Sequence, residues 1–256
     1  MQDSSAGYVV KDIEGLNPVK ATLTSSTLAQ VDGAQFQNAR RDPRNITISV
    51  GIEPDYVTNT VQSLRDALYS YFTTKAIVDL GFYLDDVLYV VTSGQVESCE
   101  NSMFSADPQV DISVLCYDPD FYVPEMSTLS SETVPNTNAN MVDYEGTTDT
   151  GVIFTLNVDR DLSSFTLYNI APDGENQQFT VSNATFMDGD VVTVNTVPGF
   201  RGLTLTRAGV ISSVLYWADP FPGWITLKKG INQFRCYALG AGVSYDLTYT
   251  AKIGGI

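Results

Sequence analysis

The sequence predicts a mainly β protein in two domains with a single well-marked helix, and three observations carry that expectation. Segments of alternating apolar and polar residues recur along all 256 residues. β-branched and aromatic residues fill these segments, and Gly, Pro, Asn or Asp separates them. Charged residues make up only 17%, low for a helical bundle and ordinary for a β protein surfaced with Thr, Ser and Asn.

The elements follow in chain order. VKATLTS (19–25), NITISVGI (45–52), AIVDLGFYL (76–84), VLYVVTSGQV (87–96) and VDISVLCY (110–117) read as strands. Between the second and third, Val61, Leu64, Leu68 and Phe72 recur at spacings of three and four. That spacing predicts an amphipathic helix over Thr58–Thr74, capped by Thr58 and packed as a plug across an open sheet face. Asp85-Asp86 falls between two strands, where adjacent carboxylates form a hairpin turn rather than a catalytic pair. Asp118-Pro119-Asp120 reads as another turn, and the polar texture beyond it sets a domain boundary near residue 125. A linker or wandering strand then runs to about residue 148. The second half restarts with GVIFTLNV, SFTLYNI, QQFTVS, VVTVNT, GLTLT, ISSVLYW (211–217), INQFRCYA and SYDLTYTAK, eight short strands of a jelly-roll β-sandwich. The expected domains are therefore 1–125 and 126–256. The stretch from Thr24 to Arg44 lacks a core-forming pattern and reads as a loop of about 20 residues, a length usual for functional or partner-bound loops.

The net charge of −16 argues against nucleic-acid binding, because affinity for phosphates comes from Lys and Arg, and against anionic membranes. No apolar run approaches the length of a membrane helix, about 18 residues. The opening residues have neither a basic start nor an apolar block, so no signal peptide is expected. The chain has no histidine, which removes Ser-His-Asp and Cys-His nucleophiles and zincin motifs. Cys99, Cys116 and Cys236 lack metal-ligand spacing and are expected as buried, reduced thiols. Asp188-Gly189-Asp190 reads as a turn rather than a calcium loop, because no EF-hand pattern follows. No glycine-rich phosphate loop occurs. No cofactor, metal or catalytic residue is expected, and the chain is not read as an enzyme.

Two groups of residues are candidates for binding. Arg40, Arg41 and Arg44 form a basic knot in an acidic chain and are expected to pair acidic residues of a neighbouring subunit. Trp217 and Trp224 flank ADPFPG, where aromatic rings can stack on sugars but more commonly pack in a core.

GLNPVKATLT, DGAQFQNARRDPRNITISVGI and SLRDALYSYFTTKAIVDLGFYLDDVLYVVTSGQVES resemble the N-terminal domain of siphophage distal tail proteins, the family of tail-tip or baseplate hub rings. PQVDISVLCYDPDF fits the end of that domain. GDVVTVNT, Gly202 to Gly209, WITLKKGIN and Gly254-Gly255 resemble the family's galectin-like sandwich. The resemblance implies a tail-tube-like β-barrel or sandwich with one packed helix, followed by a galectin-like jelly roll. It further implies a homo-hexameric ring in the virion that joins the tail tube protein to the tail-associated hub protein and lines the DNA exit channel, after synthesis in the host cytoplasm. Receptor-binding or other peripheral tail proteins are a further class of partner. The chain is too short for the long arm that some members insert in the second domain. Three other readings stand beside this one: a carbohydrate-binding module using Trp217 or Trp224, a cell-wall hydrolase, and a tail tube protein.

Overall fold

Period-two alternation places every second side chain on one sheet face, and that rule organises both halves of the chain. The computed structural model describes residues 6–27, 32–102, 107–134, 139–240 and 242–256. It divides into two units, Met1–Tyr122 with Gly254–Ile256, and Val123–Ile253.

The first unit contains β1 (Tyr8–Glu14), β2 (Ala21–Ser26), β3 (Gln35–Arg41), β4 (Arg44–Ile52), α1 (Val61–Tyr71), β5 (Ile77–Leu84), β6 (Val87–Asn101), β7 (Gln109–Cys116) and the start of β8 (Phe121–Glu132). An antiparallel sheet runs β1-β4-β7-β6, and β5 pairs with the first half of β6. Register sets the faces: Ile46 faces Val114 and Ile48 faces Ile112, and all four are buried. Leu64, Leu68 and Phe72 at the end of α1 complete that core. The helix begins later than the sequence suggested. Asp55 accepts from the backbone N–H groups of Val57, Thr58 and Asn59 and from the Thr58 hydroxyl, so Thr58 is engaged in a turn. Thr60 is the cap instead, in a capping box with Ser63. Asp85 and Asp86 are the hairpin turn read from the sequence, with φ of 50° and 64° as a mirror-image two-residue turn requires.

One strand goes beyond the elements read from the sequence, and one expectation for this unit needs correction. Residues 8–14 form a strand although YVVKDIE alternates poorly. The stretch after Thr24 is not one long loop: Gln35–Arg41 is a strand that pairs with β2 from Ala21↔Arg41 to Ser26↔Gln35. This hairpin is a separate two-stranded sheet; alternation marked its first strand, read over 19–25, but no apolar period announced β3, which buries almost nothing.

The second unit contains β9 (Asn140–Tyr144), β10 (Thr150–Gly151), β11 (Ile153–Asn157), β12 (Phe165–Ile170), β13 (Asn176–Val181), β14 (Val191–Asn195), β15 (Gly202–Arg207), β16 (Val210–Ser213), β17 (Thr226–Leu227), β18 (Gly230–Ala238) and β19 (Ser244–Ile253). One sheet runs β19-β11-β14-β15-β16 and the other β13-β12-β18-β9. Side chains from both enclose one core: the Phe154 ring lies 5.9 Å from Phe165, 6.2 Å from Phe234 and 5.1 Å from Tyr245. This is the β-sandwich expected. The strand read over 211–217 stops at Ser213, and Leu215–Trp217 is a 3₁₀ turn. Asp188-Gly189 is a turn, and Asp190 is buried against Arg207.

Candidate functional site

Three arginines close together in sequence meet three different environments. Arg44 opens β4 on the core side of the sheet and is 1% exposed. Its guanidinium donates to the carbonyls of Pro119 (2.8 Å), Asn17 (2.8 Å), Gly254 (2.6 Å) and Gly15, and lies 4.2 Å over the Phe121 ring. Burial pulls its pKa below the ordinary arginine value, while the nearby Asp120 charge opposes that shift. Gly15 has a positive φ of 88°, and a Cβ there would fall 2.0 Å from the Asn45 carbonyl oxygen. Only glycine allows that approach. The last three residues return to this place: Ile256 donates its N–H to Leu16 O, and Gly255 lies against Pro18.

Arg41, at the end of β3, forms a two-pronged ion pair with Asp120, whose side chain is 2% exposed. The turn Asp118-Pro119-Asp120 is thus the receptor for the basic knot, through a carboxylate for Arg41 and a carbonyl for Arg44. Sequence reading singled out both motifs and did not join them, because 75 residues separate Arg44 from Pro119. Arg40 differs from both. Its side chain is 81% exposed, and its nearest carboxylate contact is Asp42 at 3.9 Å. It projects from a hairpin exposed along nearly its whole length, which also exposes Leu23 and Phe36.

The outer face of the main sheet is polar and acidic. Thr47, Ser49, Asp79, Glu97, Asp111 and Ser113 alternate with the core residues. Glu100 and Asp111 stand directly opposite each other across β6 and β7. Like charges in that position ordinarily destabilise a sheet; here Asp111 accepts from the Ser49 hydroxyl (2.6 Å) and the Gln109 side-chain amide (2.7 Å).

In the second unit Trp217 meets Phe186 edge-on at 5.2 Å, and Trp224 lies 5.2 Å from Phe179. Both rings are half-buried against the sandwich core. Trp224 also lines a cleft of about 340 Å³ with Leu215, Tyr216, Asp219, Pro220 and Pro222. Cys99, Cys116 and Cys236 are free thiols, and burial pushes all three upward in pKa. Cys99 stands opposite Ile112, four positions from Cys116 on the neighbouring strand. Among the described residues no group of three Cys, Asp or Glu side chains is placed to hold a metal ion. Among them, too, no helix is long and apolar enough to cross a membrane.

Comparison with known proteins agrees with the resemblance read from the sequence. Residues 3–128 match the family described as phage tail protein RIFT-related domain. The fold is similar to the crystal structure of the Dit protein of phage SPP1, a paradigm of the hub adsorption apparatus in phages infecting Gram-positive bacteria. That match has a TM-score of 0.68 at 15% identity and covers 98% of this chain and 96% of that one. A looser likeness, on which nothing below rests, is to the baseplate of phage p2 in its activated conformation with calcium, with a TM-score of 0.47, 8% identity, and 96% and 91% coverage. No curated protein matches the sequence. The match to the phage tail protein RIFT-related domain thus covers residues 3–128, and the chain resembles siphophage distal tail proteins.

Proposed function

We propose that this chain, built on a phage tail protein domain, forms a hexameric ring at the tail tip that joins the tail tube to the hub and lines the DNA exit channel. The observation that carries the reading is the β2–β3 hairpin. A lone two-stranded hairpin is marginal in water. This one is exposed in the single chain, yet it carries Leu23, Phe36 and the exposed guanidinium of Arg40. A second copy of this chain supplies what the hairpin lacks: apolar cover and, at a net charge of −16, carboxylates for Arg40. A ring closes through one such heterologous contact repeated by rotation. The acidic outer face of the main sheet supports the channel role. Carboxylates aimed at a passing polyanion keep it from sticking, and the opposed pair Glu100 and Asp111 is part of that face. The role is structural, with tube and hub proteins as partners and the virion as location.

Negative-stain electron microscopy with mass determination in solution tests the reading. Six-fold rings of fixed size are expected. Long tubes would move the assignment to a tail tube protein, and a strict monomer at high concentration would remove self-assembly. Arg40→Glu together with Phe36→Asp should abolish rings while leaving the melting temperature within about 2 °C, because both side chains are exposed in the monomer. Rings that persist in this variant would refute the hairpin contact while leaving the ring itself standing.

A further inference from the structure

We propose that the free edge of β16 is a docking site where an extended segment of another protein, bearing a lysine or arginine, adds a strand to the second unit. The inference does not depend on the ring.

The two sheets of the sandwich treat their edges differently. The outer edge of β13 is covered by the chain itself: Ser182 N–H donates to Trp217 O (2.9 Å), Ala218 bridges Val181, Asp219 N–H donates to Thr180 O (3.0 Å), and Gly223 N–H donates to Gln178 O (2.9 Å). The outer edge of β16 ends its sheet. Its turn, Ala208-Gly209, is a two-residue mirror-image turn with φ of 49° and 77°. Such a turn makes Arg207 and Val210 a hydrogen-bonded pair, and the ladder then alternates. Val210 and Ser212 therefore bond to β15, while the N–H and C=O groups of Ile211 and Ser213 point away from it.

Sheet edges left to solvent are ordinarily blunted by charge, proline or a bulge. The strand Val-Ile-Ser-Ser is short, at four residues, but has none of these, and Val210 and Ile211 are 68% and 72% exposed. The chain passes directly from this edge into the 3₁₀ turn whose Leu215 and Tyr216 wall the apolar cleft. An added strand would take its affinity from the outward backbone groups and its specificity from a side chain in the cleft.

Charge identifies the occupant. The Asp219 carboxylate lines the cleft, and no described residue forms an ion pair with it. The cation beside the cleft, Arg201, lies over the Trp224 ring at 5.5 Å. A second copy would bring a further −16 charge to this carboxylate, whereas a basic segment of another protein neutralises it.

A displayed library of random heptapeptides selected on the full chain tests this, with winners remade as synthetic peptides. Ile211→Pro removes an outward N–H without touching the β15 ladder, so the fold should survive. Asp219→Lys reverses the charge in the cleft. Winners should alternate β-branched or aromatic residues, carry lysine or arginine, and bind each variant at least tenfold more weakly than the native chain. The proposal is overturned if no peptide is enriched, or if winners bind Ile211→Pro as tightly as the native chain. It is equally overturned if the native chain self-associates and Ile211→Pro abolishes that association, since the edge would then belong to a second copy.

Discussion

A guanidinium has five N–H donors and no acceptor, so a buried arginine needs several oxygens around it. Arg44 finds them on backbone carbonyls of three separate segments, and that arrangement makes it a structural centre rather than a contact for a neighbour. Arg44→Lys keeps the charge but cannot span the same oxygens. It should lower the stability of the first unit by about 3 kcal/mol in urea unfolding, the scale for breaking a buried charged network. A loss under about 1 kcal/mol would mean that water enters and satisfies the carbonyls. Arg40, four residues away, should tolerate the same exchange without measurable cost. Nothing in the local sequence separates the two, since both are arginines next to strand residues. Only the partners across the fold do.

The helix shows how a local competition moves an element's end. Thr58 and Thr60 are equal candidates by residue type for the cap. The Asp55 carboxylate decides between them by gathering three N–H groups and the Thr58 hydroxyl, and these bonds hold its pKa well below the usual carboxylate range. Thr60→Ala should therefore cost about 1 kcal/mol in chemical denaturation, and Thr58→Ala should not mimic it through the helix. Among the strands most exposed in the structure, alternation marked β2 and most of β16, whereas β3, exposed at every position, carries no pattern to read, because period-two reading works through burial of one face. Core strands such as β4, β7, β11 and β14 were fully legible for the same reason.

At the scale of the molecule, charge governs the response to solution conditions. Arg207 holds Asp190 below the usual carboxylate range, and Lys228 does the same for Asp173 and Glu175. A lowered folded-state pKa means stability that is present above the unfolded value, near 4, and lost as pH falls below it. With no histidine, no side chain of ordinary pKa titrates between about pH 5 and 8. The melting temperature should be flat across that range and fall steeply below about pH 4, with Asp190→Asn blunting the fall in the second unit. A slope between pH 6 and 7 would reveal a titrating group that these contacts do not contain. At pH 7, added salt should raise the melting temperature by screening the net charge of −16.

The sequence by itself determined the β class, the single helix, the core strands, the Asp85-Asp86 turn and the resemblance to phage tail proteins. Each rests on neighbours within a few residues or on motifs of contiguous chain, where periodicity and turn chemistry act directly. The tertiary structure decided what the charged and aromatic residues do. It sent Arg44 inward and Arg40 outward, joined Arg41 to Asp120, seated Trp217 and Trp224 on the sandwich core, and left one sheet edge bare while covering another. Those outcomes depend on partners tens of residues away, and no local pattern encodes which distant carbonyl, carboxylate or ring a side chain will meet.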